Sequence, residues 1–201
     1  DIDGMHNNDP RIVSETKAIR ELTFDEAAEL AYFGDKILHP SCILPAQKAN
    51  VEVRLLSTLN PEAPGTSIRQ NITDKNLLNK AKAVAAKENI TAIRIHSTRM
   101  LLAYGFLRAV FEVFERYKTP IDMITTSEVA VSLTIDDTTY LEEIIQDLEE
   151  FGTLDLIHNQ AIICVVGDHI VENKDLLNRM FSSLSDFPLR MISYGGSENN
   201  I

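Results

Sequence analysis

Two carboxylates, Asp122 and Glu128, bracket three hydroxyls at Thr125, Thr126 and Ser127 in the run Asp122-Met123-Ile124-Thr125-Thr126-Ser127-Glu128. Carboxylates accept hydrogen bonds from an ammonium group and hydroxyls both donate and accept, so the set suits the polar ends of a free amino acid. Upstream, Gly105 stands where an alternating pattern gives way to a helical one, a place where backbone N–H groups lack partners and can meet a carboxylate. A plainer reading stays open at this point: Asp122 is solvated and Thr-Thr-Ser-Glu is only a tight turn.

The elements that position these residues follow from the period of the apolar side chains. Ile93 and Ile95 alternate with polar neighbours, as in a half-buried strand. From Leu101 to Tyr117 the apolar residues Leu102, Phe106, Leu107, Val110, Val113, Phe114 and Tyr117 recur at three and four, leaving Arg108, Glu112, Glu115 and Arg116 on the other face of a helix. Pro120 ends it, and Val129, Val131, Leu133 and Ile135 alternate again, which predicts strand, helix, strand, strand.

Composition narrows the function classes. The chain has 201 residues, 44% of them apolar, enough for one large or two small cores. Thirty acidic residues against nineteen basic give a net charge of −11 without a local basic cluster, which argues against nucleic acid as a partner. No run approaches the roughly eighteen apolar residues of a membrane span. Cys42 and Cys164 lie far apart in apolar surroundings, as free buried thiols of a reducing cytosol do, and neither spacing predicts a metal site. The chain starts at Asp1 with no signal peptide, so a cytoplasmic location rests on cysteine usage.

In chain order, residues 1 to 20 are dense in Asp, Asn, Gly and Pro and read as loop, with Asp1, Asp3 and Asp9 as turn residues. Thr23-Phe24-Asp25-Glu26 is a capping box opening a helix that runs to Gly34. Lys36 alone reads as surface charge, and His39 before Pro40 as a local hydrogen-bonding residue. A helix is expected from Ser41 to Ala49, strands at Val51 to Ser57 and Thr66 to Asn71, and a turn between them. The Ala- and Lys-rich stretch from Asp74 to Asn89 favours helix by propensity. Asp136, Asp137 or Thr138 would cap a helix through Leu141, Ile144, Ile145, Leu148 and Phe151, closed by Gly152. Strands at Leu154 to Ile157 and Ala161 to Gly167, a helix through Leu176 to Leu184 and a strand at Leu189 to Ser193 complete a second copy of the αβ unit.

Three stretches carry a family resemblance. Met100, Gly105-Phe106-Leu107 and Asp122 to Glu128 resemble the effector-binding ACT domain of lysine-sensitive aspartate kinases, and the closing MISYGGSENNI resembles that family's R-M-I-S/C-Y-G-A/G-S tail. DIDGMHNNDPRIV resembles the family's T-D-V-D-G-V/I-Y-T-T-D-P-R segment, which wraps the adenine and ribose of ATP. Lys36-Ile37-Leu38-His39-Pro40 matches G-A/S-K-V-L-H-P, whose lysine faces the nucleotide phosphates. The resemblance implies nucleotide-contacting roles for Asp1, His6, Arg11 and Lys36, with His6 where the family usually has tyrosine. It implies an amino-acid site at Met100, Ala103, Gly105, Phe106, Leu107, Ile121, Asp122, Thr126, Ser127 and Glu128. Leu102 and Ala103 depart from the His and Ser common in lysine-sensitive relatives.

The fold so implied is α/β and α+β: the C-terminal part of an amino-acid kinase fold over residues 1–72, a first ACT-like βαββαβ unit over 73–158 and a second, incomplete one over 159–201. The same resemblance replaces helix by strand at Ala83 to Lys87, turning at Glu88-Asn89. The parent activity would be transfer of the γ-phosphoryl of MgATP, a substrate rather than a tightly bound cofactor, to L-aspartate. L-lysine would be the effector and a homodimer through the ACT domains the assembly. The family's phosphate-gripping glycines and catalytic aspartate fall before Asp1, so the 201-residue chain alone is expected to be inactive, with no catalytic residue of its own. The competing reading is a non-catalytic amino-acid-binding dimerisation module with another effector such as threonine.

Overall fold

The computed structural model describes residues 3–33, 38–100 and 104–201. The chain divides into two compact units. One comprises Asp1–Lys87, Ile163–Leu189 and Tyr194–Ile201, the other Glu88–Ile162 and Arg190–Ser193.

In the first unit, β1 (Glu21–Thr23), β2 (Val53–Leu55) and β3 (Thr66–Arg69) form a sheet ordered β1-β3-β2, with β1 parallel and β2 antiparallel to β3. Helix α1 (Phe24–Phe33) starts at the expected capping box. The Thr23 amide donates to Glu26 Oε2 at 2.7 Å and the Glu26 amide to Thr23 Oγ1 at 3.1 Å, so two otherwise orphaned donors are satisfied reciprocally. Helix α2 (Pro40–Ala49) is capped by His39, whose ring accepts from the Ser41 amide, which confirms the local role read for it. Leu22, Phe24, Ala27, Leu30, Ile43 and Ile68 fill the core with Met5, Ala83, Ala85, Cys164 and Val166.

Beneath α1 lies a charged pair that periodicity does not reveal. Lys82 Nζ donates to Glu26 Oε2 at 2.8 Å, with the two side chains 3% and 0% exposed. The carboxylate that caps α1 is therefore also the counter-ion of a buried ammonium.

A four-stranded sheet ordered β5-β6-β4-β7 is formed by β4 (Ala83–His96), β5 (Met123–Thr126), β6 (Ala130–Ile135) and β7 (Thr153–Val166). The second unit holds β5, β6, β4 from Glu88 and β7 up to Ile162, with α3 (Phe106–Arg116) and α4 (Leu141–Leu148). Antiparallel register sets Ile93 opposite Leu133 and Ile95 opposite Val131, while Ile124 and Thr126 of β5 pair the same two β6 residues. One face of the sheet therefore presents Ile93, Ile95, Val131, Leu133 and Ile135 to Val110, Val113, Phe114, Ile144 and Leu148 of the helices. Burying a side chain of this size contributes roughly 1.5–3 kcal/mol.

Several expectations are corrected here. No helix forms over Asp74 to Asn89: a 3₁₀ turn at Lys75–Leu77 is followed by β4, as the resemblance implied, yet the strand does not turn at Glu88-Asn89. It continues for 14 residues, with Asn89 held at φ 59°, a left-handed position that asparagine tolerates. The two strands expected at Leu154 to Ile157 and Ala161 to Gly167 are one, β7, which accommodates Asn159 at φ 55° in the same way. Helix α3 starts at Phe106 rather than Leu101, and residues 101–103 lie outside the described residues, as does Gly34. None of Asp136, Asp137 and Thr138 caps α4: its N-cap is Tyr140 without a side-chain bond, and Asp137 instead accepts from the Thr139 amide at 2.9 Å. Residues 189–193 form no strand. The segment that pairs with the end of β7 is the C-terminus, where Val165 and Ile201 exchange both backbone bonds at 3.0 Å. Cys42 is exposed rather than buried, whereas Cys164 is buried as expected.

Candidate functional site

Gly105 adopts φ 83° at the N-cap of α3, a left-handed conformation that costs any other residue about 1 kcal/mol or more. Among the described residues nothing lies within 4 Å of where a Cβ added at Gly105 would sit. Among the described residues no side-chain cap bond forms at this N-cap, and the first internal bond of the helix runs from the Ala109 amide to the Gly105 carbonyl at 3.0 Å. The helix therefore presents uncapped N–H groups and the positive end of its dipole to whatever approaches.

Met100, Phe106, Leu107 and Ile121, four of the residues implied for the amino-acid site, are all half-buried and pack against the same apolar cluster. Phe106 is fixed edge-to-face on Phe151 with ring centroids 6.0 Å apart. Asp122 is half-buried just before β5, with its amide donating to the Thr134 carbonyl at 2.9 Å, and the Met123 amide that follows donates to Thr134 Oγ1 at 3.0 Å. The hydroxyl run resolves into two parts. Thr125 and Thr126 belong to β5, whereas Ser127 begins the turn into β6, its Oγ accepting from the Ala130 amide at 3.1 Å and its amide donating to the Ala130 carbonyl at 2.8 Å. Ser127 thus builds the turn that presents the exposed Glu128, and the tight turn and the carboxylate bracket coexist. Ala103 lies outside the described residues.

In the first unit the His6 ring is clamped on both nitrogens. Nε2 meets Asp3 Oδ1 at 2.8 Å and Nδ1 meets Thr16 Oγ1 at 2.8 Å. A carboxylate only accepts, so Nε2 carries the proton and the ring orientation is set. The bond from His6 holds the Asp3 carboxyl below the usual carboxylate range. Arg11 forks onto Asp9, with Nη2 to Oδ2 at 2.6 Å and Nε to both oxygens at 3.0 Å, and this pairing lowers the Asp9 carboxyl in turn. Each basic residue is thus steered by an aspartate read from sequence only as turn chemistry, Asp3 at i−3 and Asp9 at i−2. Asp1 and Lys36 lie outside the described residues.

Two features escaped the sequence. The Lys82–Glu26 pair left no signal beyond Glu26 in its capping box, because an isolated lysine in an Ala/Lys-rich stretch looks solvated. Glu21 was also passed over. Burial pushes its carboxyl up, but hydrogen bonds from the Thr73 hydroxyl and from the Thr73 and Asp74 amides, with Arg69 alongside, outweigh that and hold it low. Among the described residues no three His, Cys, Asp or Glu side chains are placed to hold a metal ion, and no helix is long and apolar enough to cross a membrane.

The amino acid kinase family pattern matches residues 1–57 and an ACT domain pattern matches residues 163–201. Aspartokinase 3, chloroplastic, of Arabidopsis thaliana is 38% identical over all of this chain and 37% of its own length. A putative C-terminal regulatory domain of aspartate kinase from Porphyromonas gingivalis is 44% identical, with 81% of that structure and 59% of this chain covered at a TM-score of 0.52. The chain belongs to the aspartate kinase family. Escherichia coli aspartokinase III superposes over the whole chain at 35% identity, with TM-scores of 0.88 for its complex with aspartate and ADP, described as the R-state, and 0.83 for its complex with lysine and aspartate, the T-state. The chain spans less than half the length of that enzyme, 46% and 45% of the two structures. This breadth of match accords with the mixed α/β architecture of two sheets and with the family resemblance of the sequence.

Proposed function

We propose that this aspartate kinase chain belongs to an enzyme that phosphorylates L-aspartate from MgATP, and that it carries a lysine-type regulatory site. The observation that carries the reading is the uncapped, left-handed start of α3 at Gly105, set among Met100, Phe106, Leu107 and Ile121, in a chain whose relative is known bound to lysine. The α-carboxylate of the effector meets the amides of Phe106 and Leu107. Asp122 and Glu128 attract its ammonium groups, and Met100 and Ile121 take the aliphatic stem. Thr126 and Ser127 border the pocket, and Ala103 falls where a hydroxyl would add one contact.

Residues 1–72 then supply one wall of the nucleotide site. Asp1 and the clamped ring of His6 lie against adenine and ribose, while Arg11 and Lys36 offset phosphate charge as it develops. Residues 73–158 and 159–201 form the two ACT units, through which a cytoplasmic homodimer assembles. Only a differential affinity for two arrangements of that dimer lets lysine shift activity.

Calorimetry of the 201-residue chain with lysine, threonine and methionine tests the regulatory half. Lysine binding that is lost in Asp122→Asn supports it. Binding of threonine in preference to lysine selects the second reading, and no binding of any of the three overturns both.

A further inference from the structure

The unit formed by Glu88–Ile162 and Arg190–Ser193 holds a second concavity with its own walls. A cleft of about 560 Å³ opens between the end of β4 at His96 to Thr98, Val129 in the turn before β6, and the segment Glu149 to Thr153 that leaves α4. None of the ten residues implied for the amino-acid site lines it.

Its electrostatics favour a cation. Helix α4 has no basic residue of its own in its last turn, where Arg116 of α3 pairs with Asp147, and the two further carboxylates Glu149 and Glu150 follow directly and line the cleft. Its walls are also partly apolar, with Val129 46% exposed and Phe151 beside it. At its base Ser97 is 5% exposed, and its Oγ is buried without a hydrogen-bond partner. Buried hydroxyls are nearly always paired, and a serine hydroxyl turns about a single torsion, so an orphan at a cleft wall marks a place for a ligand donor. Gly152 lets the segment after α4 pack closely on the end of β4, since a Cβ there would lie 2.1 Å from the His96 carbonyl oxygen and 3.2 Å from Ser97 Cβ. A metal ion is a poor fit, since no three ligating side chains are grouped among the described residues.

We propose that this cleft binds a small organic ammonium ion, a primary amine with a short apolar body. Its charged head lies between Glu149 and the end of α4, one N–H reaches Ser97, and its hydrocarbon part rests on Val129 and Phe151. The cleft shares no lining residue with the site at Gly105, although its Phe151 packs on Phe106 of that site.

Amide chemical shifts of the 201-residue chain titrated with n-butylammonium chloride test it. The expected result is saturable shifts at Ser97, Thr98, Gly152 and Thr153, weakened at least tenfold by Glu149→Gln, an exposed position whose change leaves the fold intact. Ser97→Ala weakens binding severalfold without lowering the thermal midpoint, because the hydroxyl it removes has no partner to lose. Asp122→Asn leaves the titration unchanged, whether or not it abolishes lysine binding at Gly105, which separates failure here from failure of the lysine reading. Shifts confined to Gly105 to Leu107, no saturable shift at all, or an unchanged affinity in Glu149→Gln would each overturn the proposal.

Discussion

Replacing Lys82 with methionine keeps most of the side-chain volume and removes only the charge, which isolates what the buried pair contributes. Lys82 and Glu26 have side chains 3% and 0% exposed, and the ammonium sits 2.8 Å from Glu26 Oε2. Removing one partner of such a pair strands the other charge away from water, at a cost of about 3–5 kcal/mol. Glu26 keeps one compensation, the Thr23 amide at 2.7 Å, so the lower end, about 3 kcal/mol, is expected. The double variant Lys82→Met/Glu26→Gln removes both charges while the glutamine carbonyl still caps the helix, and should recover to within about 1 kcal/mol of the parent. Native-state hydrogen exchange of the α1 amides from Ala27 to Leu30 reads this locally, with urea unfolding as the global measure. A loss below about 1 kcal/mol in the single variant, or a double variant worse than the single, refutes the claim that the pair is dry and mutually dependent.

Three further outcomes follow from the described geometry. Asp122→Asn should weaken lysine binding by about 2 kcal/mol, close to thirtyfold in affinity by calorimetry, and an unchanged constant removes Asp122 from the site. Burial pushes the Cys164 thiol up to about 12, so at pH 8 it stays neutral and unreactive. Mass spectrometry after brief iodoacetamide treatment should then find alkylation at the exposed Cys42 alone, and early labelling of Cys164 contradicts its burial. Glu21 is held below its ordinary value in the folded chain, so its contribution is present at neutral pH and is lost as pH falls through that lowered value. Glu21→Gln should therefore flatten the acid limb of a stability profile below about pH 4.5, and an unchanged limb excludes Glu21 as its source.

Local signals carried much of this structure in the sequence. The capping box at Thr23 and Glu26 formed because both partners lie within one helical turn. The face of α3 was legible because Val110, Val113 and Phe114 recur at helical spacing and so must share a side. Gly105 was legible as a junction between a strand and a helix, and the family motifs around it pointed to an amino-acid ligand, but its left-handed conformation and the start of α3 at Phe106 came only with the structure. Tertiary structure decided whatever depended on partners far along the chain. Ala83 to Lys87 has helical composition but becomes strand, since Ala83 and Ala85 are buried in a core built with Cys164 and Val166. Propensities of tenths of a kcal/mol per residue yield to that burial. The polar residues in β7 read as a break between two short strands, yet Asn159 takes a left-handed conformation that lets one strand run through. The lysine that answers Glu26 lies 56 residues away and was invisible for the same reason, whereas Asp3 and Asp9 are local to His6 and Arg11 and read in sequence as turn residues. A charged side chain declares a solvated role in sequence, and only the fold removes the water and supplies the opposite charge.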